Sequence, residues 1–458
     1  MLDKMNLNNH IFREYDIRGI VGEDLTPDVV VLLGKGIGTY FRNHGATDIT
    51  VGRDGRLSSP EIRDHLCKGL RSTGLAIIDI GIVPSPISYY STHTLDVDGA
   101  VMITGSHNPA NYNGFKITLG TESVYGEQIQ EIRKIIESDV FQSGRGGSVA
   151  KDIIPDYLSD LVNRLNINRK VRVGIDPGNG VGGLTAIPLL EDLGCEVHSI
   201  NIEVDGNFPA HHPDPTVEAN LEMLKDLVRR KNLELGIAFD GDADRIGIVD
   251  EQGNVMMGDQ ILAVLARNVL IEEPGATIIG EVKCSKLLFD DIKKHGGNPL
   301  MWKVGHSLIK SKMHETGALL AGEVSGHIFF QHRFYGFDDA TYVAGRFLKI
   351  VANSKVPVSQ LLADWPKTWN TPEIRSECPD EIKFKVVTAV CDYFKTKYEV
   401  IDVDGMRVNM PGGWGLLRAS NTQPVVVMRF EADSDKRLSE IQLEIESILT
   451  KELKILLG

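Results

Sequence analysis

Short apolar runs, each closed by glycine and polar residues, recur along the chain with helical stretches between them. The first group is "DITVGRDGR" (48–56), "LAIIDIGIVPSP" (75–86) and "GAVMITGSHNP" (99–109). A second is "KVRVGIDPGNG" (170–180), "CEVHSINIEVDG" (195–206) and "ELGIAFDGDADR" (234–245). A third is "ATIIGEVKCS" (276–285), "NPLMWKVGHS" (298–307) and "GALLAGEVSGH" (317–327). Stretches such as "PEIRDHLCKGLRSTG" (60–74) and "NLEMLKDLVRRKN" (220–232) carry apolar residues at helical spacing. Strands alternating with helices predict βαβ units with parallel pairing, so the chain reads as three related α/β units. In open α/β sheets ligands collect at the carboxyl ends of the strands, which makes the polar loop after each third strand a candidate site wall.

The C-terminal part breaks the pattern. "FKVVTAVCDYF", "YEVIDVDGMRVNM", "GGWGLLRASN" and "QPVVVMRFEAD" read as strands or loops, followed by a helix with Leu438, Ile441, Ile445, Ile448 and Leu453 on one face. A separate α+β domain of roughly 90 residues is expected. At 458 residues the chain is too long for a single core. Its 42% hydrophobic and 24% charged content is that of a soluble globular protein. The opening "MLDKMNLNNHIFREYD" has no apolar centre, so no secretory signal is expected. No run approaches the ~18 apolar residues of a membrane span. The net charge of -14 argues against a nucleic-acid partner but not against small anions. Cys67, Cys195, Cys284, Cys378 and Cys391 are scattered, without metal or disulfide spacing, which suits the reducing cytoplasm.

Three loops carry candidate chemistry. In "FDGDADRIGIVDEQG", Asp240, Asp242 and Asp244 alternate, and carboxylates so close repel unless a cation neutralises them. A calcium loop would fit at Glu251 but requires glycine where Arg245 stands, and its flanks would be helices, not strands. Few, all-oxygen ligands suit Mg²⁺ with positions open to phosphate, and Arg245 adds a cation beside them. In "TGSHNP", Ser106 ends a buried-looking strand. G-x-S-x-G is absent, so a hydrolase elbow is excluded. Next to a Mg²⁺ loop, a serine carrying a phosphoryl group becomes a coherent reading, with Lys116 adding positive charge. His107 could order that loop, and Arg53 and Arg56 either support it or are solvated. "GNGVGG" (178–183) has the spacing of a dinucleotide fingerprint, with Glu203 downstream. Hydride transfer would leave the aspartates and Ser106 without a role, so a tight turn is the better reading.

Together these motifs resemble the α-D-phosphohexomutase family, in particular its phosphomannomutase/phosphoglucomutase group, from "FREYDIRG" (12–19) to "RASNTQP" (418–424). "TGSHNP" is similar to the family's phosphoserine loop, "DGDADR" to its metal loop, "GEVSGH" (322–327) to its sugar loop and "RASNT" to its phosphate loop. The resemblance implies an α/β fold: three related α/β domains with mixed sheets flanked by helices, plus a C-terminal α+β domain, around a central cleft. The expected divisions are 1–150, 151–254, 255–366 and 367–458, one loop to each.

By the same resemblance, Ser106 stores the phosphoryl group, and Asp240, Asp242 and Asp244 hold Mg²⁺ with a phosphoserine oxygen. Within the sugar loop Gly322, Glu323, Val324, Ser325, Gly326 and His327, the Glu323 and Ser325 side chains take sugar hydroxyls and His327 supports them. Val324 stands where close relatives often have Met. Arg418, Ser420, Asn421 and Thr422 grip the phosphate that is not transferred. Tyr15, Arg18, Lys116, Arg245, Lys283 and His306 line the cleft, with Lys116 or His306 as general acid/base. The implied reaction interconverts hexose 1-phosphate and hexose 6-phosphate through a hexose 1,6-bisphosphate, which also serves as activator. Mannose and glucose both remain open as the sugar. Small hexose phosphates are the expected partners, with no nucleic acid, membrane or obligatory protein partner. Glycines and prolines at 366–372 and 411–415 would permit the last domain to move. The rival readings are a phosphoserine phosphatase, a non-catalytic sugar-phosphate binder and a dehydrogenase.

Overall fold

The computed structural model describes residues 7–420 and 423–457. Each of the three repeated groups builds one sheet on one plan. In the first, Asp48–Arg53 lies between Ala76–Ile82 and Gly99–Ile103, both parallel to it, and Tyr112–Leu119 then pairs antiparallel with Gly99–Ile103. In the second, Arg172–Asp176 lies between Glu196–Ser199 and Leu235–Phe239, and Ile246–Asp250 turns back antiparallel. In the third, Thr277–Glu281 lies between Asn298–Trp302 and Leu320–Gly322, and Ile328–Phe330 turns back. The first three strands of each group therefore pair in parallel and the fourth antiparallel, and the sheets are mixed. Helix crossovers place three strands in parallel, while a short polar loop suffices for the fourth. That loop is the chemically marked one in all three units.

The middle strands Gly99–Ile103, Leu235–Phe239 and Leu320–Gly322 are buried along their whole length, as expected of strands covered on both faces. One apolar cluster runs from Val83 and Tyr90 through Leu189 and Ile237 to Leu262 and Phe347, so the three units share packing. A second cluster, with Leu33, Ile49, Val101 and Ile117, belongs to the first unit alone.

The C-terminal domain is an antiparallel sheet centred on Gly413–Ala419 and Val425–Ala432, packed on two helices. One of those helices, Asp380–Lys395, corrects the reading of "FKVVTAVCDYF" as strand or loop. Its Lys383, Val386, Val387, Val390, Cys391 and Phe394 are buried while Phe384 is exposed. That is a 3.6-residue period, and it overrides the strand preference of the β-branched residues. The closing helix spans Asp435–Leu457 and buries Leu438, Ile441 and Ile445 as expected. All five cysteines are free. Among the described residues no helix is long and apolar enough to cross a membrane.

Candidate active site

Ser106 follows the buried strand Gly99–Ile103 and adopts a left-handed backbone, φ 47°, which a non-glycine residue holds only when its surroundings enforce it. The enforcing group is Arg56. Its guanidinium, fully buried, donates to the carbonyls of Ser106 and Asn108 at 2.7 Å, Pro109 at 2.6 Å and Tyr112 at 3.0 Å. Asp54 pairs with Arg56 at 3.1 Å and accepts the Gly105 N–H at 3.1 Å. A Cβ on Gly105 would sit 2.4 Å from the guanidinium carbon, so only glycine admits this approach. Arg53 does not join in: it pairs with Asp79 at 3.4 Å. Arg56 was therefore half-legible, because nothing local separates two arginines in "GRDGR".

The Ser106 hydroxyl is buried and donates to Asp240 Oδ2 at 2.9 Å, with His107 Nδ1 at 3.1 Å. Asp240, Asp242 and Asp244 are at most 1% exposed, and one oxygen from each lies within 4.8 Å of the others. The left-handed Ala243, φ 57°, folds the loop so that all three carboxylates point inward. Gly241 passes so near Ser106 that a Cβ there would lie 2.5 Å from the Ser106 carbonyl oxygen.

Lys116, from the adjacent strand Tyr112–Leu119, puts Nζ 2.6 Å from Asp242 and 2.5 Å from Asp244. Burial by itself would lower its pKa, but the two carboxylates hold it well above the ordinary lysine range. Asp242 is also met by Ser85 Oγ at 2.5 Å and Thr104 Oγ1 at 3.1 Å, neither of which was foreseen. Burial and the neighbouring Asp244 and Asp242 charges push Asp240 well above the usual carboxylate range. Asp242 Oδ1 and Asp244 Oδ1 are buried without a hydrogen-bond partner. A hard divalent cation answers both the excess charge and the orphaned oxygens, and the donor set fits Mg²⁺.

The loop of residues 322–327 lies against the aspartate loop. Arg245 and His327 form an antiparallel bridge, Ile246 N donates to Gly326 O at 3.1 Å, and Arg245 Nε donates to His327 Nε2 at 2.9 Å. His327 must then carry its proton on Nδ1, which donates to Asp338 at 2.8 Å. Glu323 is buried; it accepts from Gly305 N at 2.7 Å and from Ser325 Oγ at 3.2 Å. Val324 turns its side chain to the apolar cluster, and its N–H is bound by Glu281 at 3.2 Å. Gly322 ends the strand before the loop.

His306, at the start of helix His306–Thr316, stacks on His327 with ring centroids 5.6 Å apart and meets the tilted Tyr15 ring at 5.9 Å. Burial, then the charge of Lys310, push His306 well below the ordinary histidine range, so it is neutral. Tyr15 donates to Val304 O at 2.9 Å, Arg18 pairs with Asp16, and Lys283 reaches Glu373 at 3.4 Å.

In the C-terminal domain Arg418 is buried and pairs with Asp404, 3.0 Å from Nε to Oδ2 and 3.4 Å from NH2 to Oδ1. The Ser420 hydroxyl accepts from Gln423 N at 3.1 Å; Asn421 and Thr422 lie outside the described residues. The "GNGVGG" glycines do not form a nucleotide cradle. Gly180 packs under Gly241, where a Cβ would lie 2.8 Å from the Gly241 carbonyl oxygen, so the turn serves close packing beneath the aspartates.

Four domain families match in chain order: phosphoglucomutase/phosphomannomutase alpha/beta/alpha domain I over residues 9–143, domain II over 155–253, domain III over 257–368, and the C-terminal domain over 373–448. A phosphomannomutase/phosphoglucomutase of Pseudomonas aeruginosa is 45% identical over 433 residues, 94% of each chain. A phosphoglucomutase of Neisseria meningitidis is 43% identical over 449 residues, 97% of each. The crystal structure of a phosphoglucomutase/phosphomannomutase family protein from Burkholderia thailandensis superposes with a TM-score of 0.92 at 41% identity, covering 97% of this chain and 98% of that one. Matched in every domain and over nearly its whole length, the chain belongs to the phosphoglucomutase/phosphomannomutase family.

Proposed function

We propose that this chain is a phosphohexomutase, an intramolecular phosphotransferase of the isomerase class, that interconverts the 1- and 6-phosphates of mannose or glucose through phosphorylated Ser106 and a hexose 1,6-bisphosphate. The observation that carries this reading is the Ser106 hydroxyl, held in a strained turn 2.9 Å from a cage of three buried aspartates. Family membership and the named relatives support the activity; the intermediate rests on that geometry.

Asp240, Asp242 and Asp244 would hold Mg²⁺ together with an oxygen on Ser106, and the ion would neutralise charge on the transferring group. Arg418 and the Ser420 loop, with Asn421 and Thr422, bind the phosphate that stays on the sugar. Glu323, a charged acceptor, and Ser325 fix the sugar hydroxyls, and His327 is held in one tautomer by Arg245 and Asp338. Tyr15, Arg18 and Lys283 wall the cleft. The phosphoryl group leaves Ser106 Oγ for the free O1 or O6 hydroxyl, whose proton passes to a neighbouring base. Lys116 is tied as an ammonium to two carboxylates and so serves charge neutralisation. His306, packed against His327 and Tyr15, is then the side chain left to take the proton. The bisphosphate then reverses end for end and returns its other phosphoryl group to Ser106. The domains divide near residues 150, 254 and 366, one loop each, and the free thiols fit a cytoplasmic enzyme.

The test is direct. Incubation with glucose 1-phosphate or mannose 1-phosphate, Mg²⁺ and a trace of the 1,6-bisphosphate should give the 6-phosphate without free phosphate. Ser106→Ala should abolish this flux and leave sugar-phosphate binding in place, and chelation of the metal should stop turnover. Release of inorganic phosphate at the same rate would point to a phosphatase, and undiminished flux in Ser106→Ala would refute the phosphoserine.

A further inference from the structure

We propose that Asp404 is a positioning residue that couples the phosphate-binding end of the cleft to its sugar-binding end. The inference rests on the reading that Arg418 takes phosphate and Glu323 takes sugar hydroxyls. Asp404 lies in the turn between the strands Glu399–Ile401 and Met406–Met410 of the C-terminal domain, 14 positions from Arg418. Gly405 has φ 81°, and a Cβ there would lie 2.8 Å from Arg418 Cα, so the turn is pressed flat against the strand that bears the arginine.

Each Asp404 oxygen has a task. Oδ2 accepts Arg418 Nε at 3.0 Å and also the backbone N–H of Val304, in the third domain, at 3.1 Å. Oδ1 accepts Arg418 NH2 at 3.4 Å. A guanidinium has five N–H donors in a fixed plane, so this grip leaves NH1 and one NH2 proton directed elsewhere, as a fork for a dianion. Fixing the plane beforehand removes the ordering cost that a free arginine side chain would incur on binding.

Val304 and Gly305 are successive residues. The Val304 N–H binds Asp404, its carbonyl accepts Tyr15 Oη at 2.9 Å, and the Gly305 N–H binds Glu323 Oε1 at 2.7 Å. The Asp404–Arg418 pair thus holds the 303–304 peptide unit and the sugar-binding carboxylate the 304–305 unit, two planes joined at the Val304 Cα and further pinned by Tyr15. Val403 and Val304 both pack against the apolar cluster of Val282, Trp414 and Leu416, which holds the turn to that segment. A phosphate drawing on Arg418 and a sugar hydroxyl drawing on Glu323 therefore act on adjoining peptide units. Coupling of this kind is reciprocal: each ligand group strengthens the hold on the other by the same factor.

A double-mutant cycle on the full-length enzyme tests this, with kcat and KM for glucose 1-phosphate and mannose 1-phosphate, and with thermal melts. Asp404→Ala should raise KM about tenfold or more while kcat falls less, and Asp404→Asn, which keeps an acceptor for Val304 N–H, should fall between it and wild type. Combined with Glu323→Gln, Asp404→Ala should cost about fivefold less in kcat/KM than the product of the two single losses. A merely structural Asp404 would lower the melting temperature and give losses that multiply; that result, or an unchanged KM in Asp404→Ala, overturns the proposal. If Asp404→Ala is poorly folded, the near-isosteric Asp404→Asn carries the same cycle. Failure of the underlying reading looks different: the wild type would not interconvert the sugar phosphates, or Arg418→Met would bind them unchanged.

Discussion

At the scale of single residues, the candidate site depends on a side chain spent entirely on Asp54 and backbone carbonyls, that of Arg56. Ser106 is held at φ 47° because Arg56 gathers four carbonyl oxygens of its loop. Removing that guanidinium leaves buried carbonyls unpaired, each at a cost of about 1–3 kcal/mol, and frees the serine to leave its strained conformation. Arg56→Met should therefore lower kcat by about two orders of magnitude, the typical result of moving a reacting group by an ångström. The loss should accompany reduced stability in thermal melts, whereas Arg53→Met, whose partner Asp79 lies outside the loop, should leave kcat near wild type. The sequence shows two arginines flanking Asp54 and no rule for choosing between them. Their roles separate only when the chain folds, because Arg56 turns inward over residues 106–112.

At the scale of elements, one plan used three times explains why the candidate site residues lie where they do. Each unit turns from its third strand into an antiparallel fourth through a short loop, and those loops carry Ser106, the aspartates and Glu323. Gly241 shows how tightly two of them meet. Gly241→Ala should push the aspartate loop away from Ser106 and reduce turnover, with the domains still folded by circular dichroism.

Helix Ala340–Asn353 gives a pH prediction. Its N-cap Asp339 accepts Tyr342 N at 2.9 Å and Tyr157 Oη at 2.8 Å, and burial pushes its pKa from 3.8 up to about 7. Between those values the folded protein binds a proton that the unfolded chain has released. Stability should therefore decline as pH rises through this window, by at most about 1.4 kcal/mol per unit, and level off above it. Asp339→Asn keeps an acceptor for the cap without the charge, so its melting temperature should gain on wild type as pH rises from 5 to about 7.5. Equal pH slopes for the two proteins would count against a raised Asp339.

At the scale of the whole molecule, the first three domains share a continuous apolar cluster, but the fourth is attached through a smaller, more polar contact. Arg407 is its centre. Buried, with its pKa drawn down to about 10 by burial, it lies 3.7 Å over the Trp414 ring and donates to the carbonyls of Val282 and Cys284 in the third domain. Beside it Glu431 accepts from Trp414 Nε1 at 2.8 Å and Ser285 Oγ at 2.9 Å. Arg407→Ala should strip two carbonyls of their donor and loosen the fourth domain. A second, lower-temperature unfolding transition in calorimetry and a larger radius of gyration by X-ray scattering would show it. A single transition at the wild-type temperature would mean that the interface does not depend on this residue.

Local order was legible from the sequence because it is set by short-range rules. Periodicity marked most strands and the closing helix, and the polar ends of the third strands marked the loops that carry the chemistry. The exception, Asp380–Lys395, has β-branched residues that resemble a strand until its buried face is known. What the tertiary structure alone decided is pairing between distant residues. Lys116 meets Asp242 across 126 positions and Ser106 meets Asp240 across 134, while Ser85, Asp338 and Asp404 join the site from elements whose local sequence gave no sign of it. A buried charge is stable only where partners close around it, and which partners do so depends on how domains pack, a property that no single stretch of chain contains.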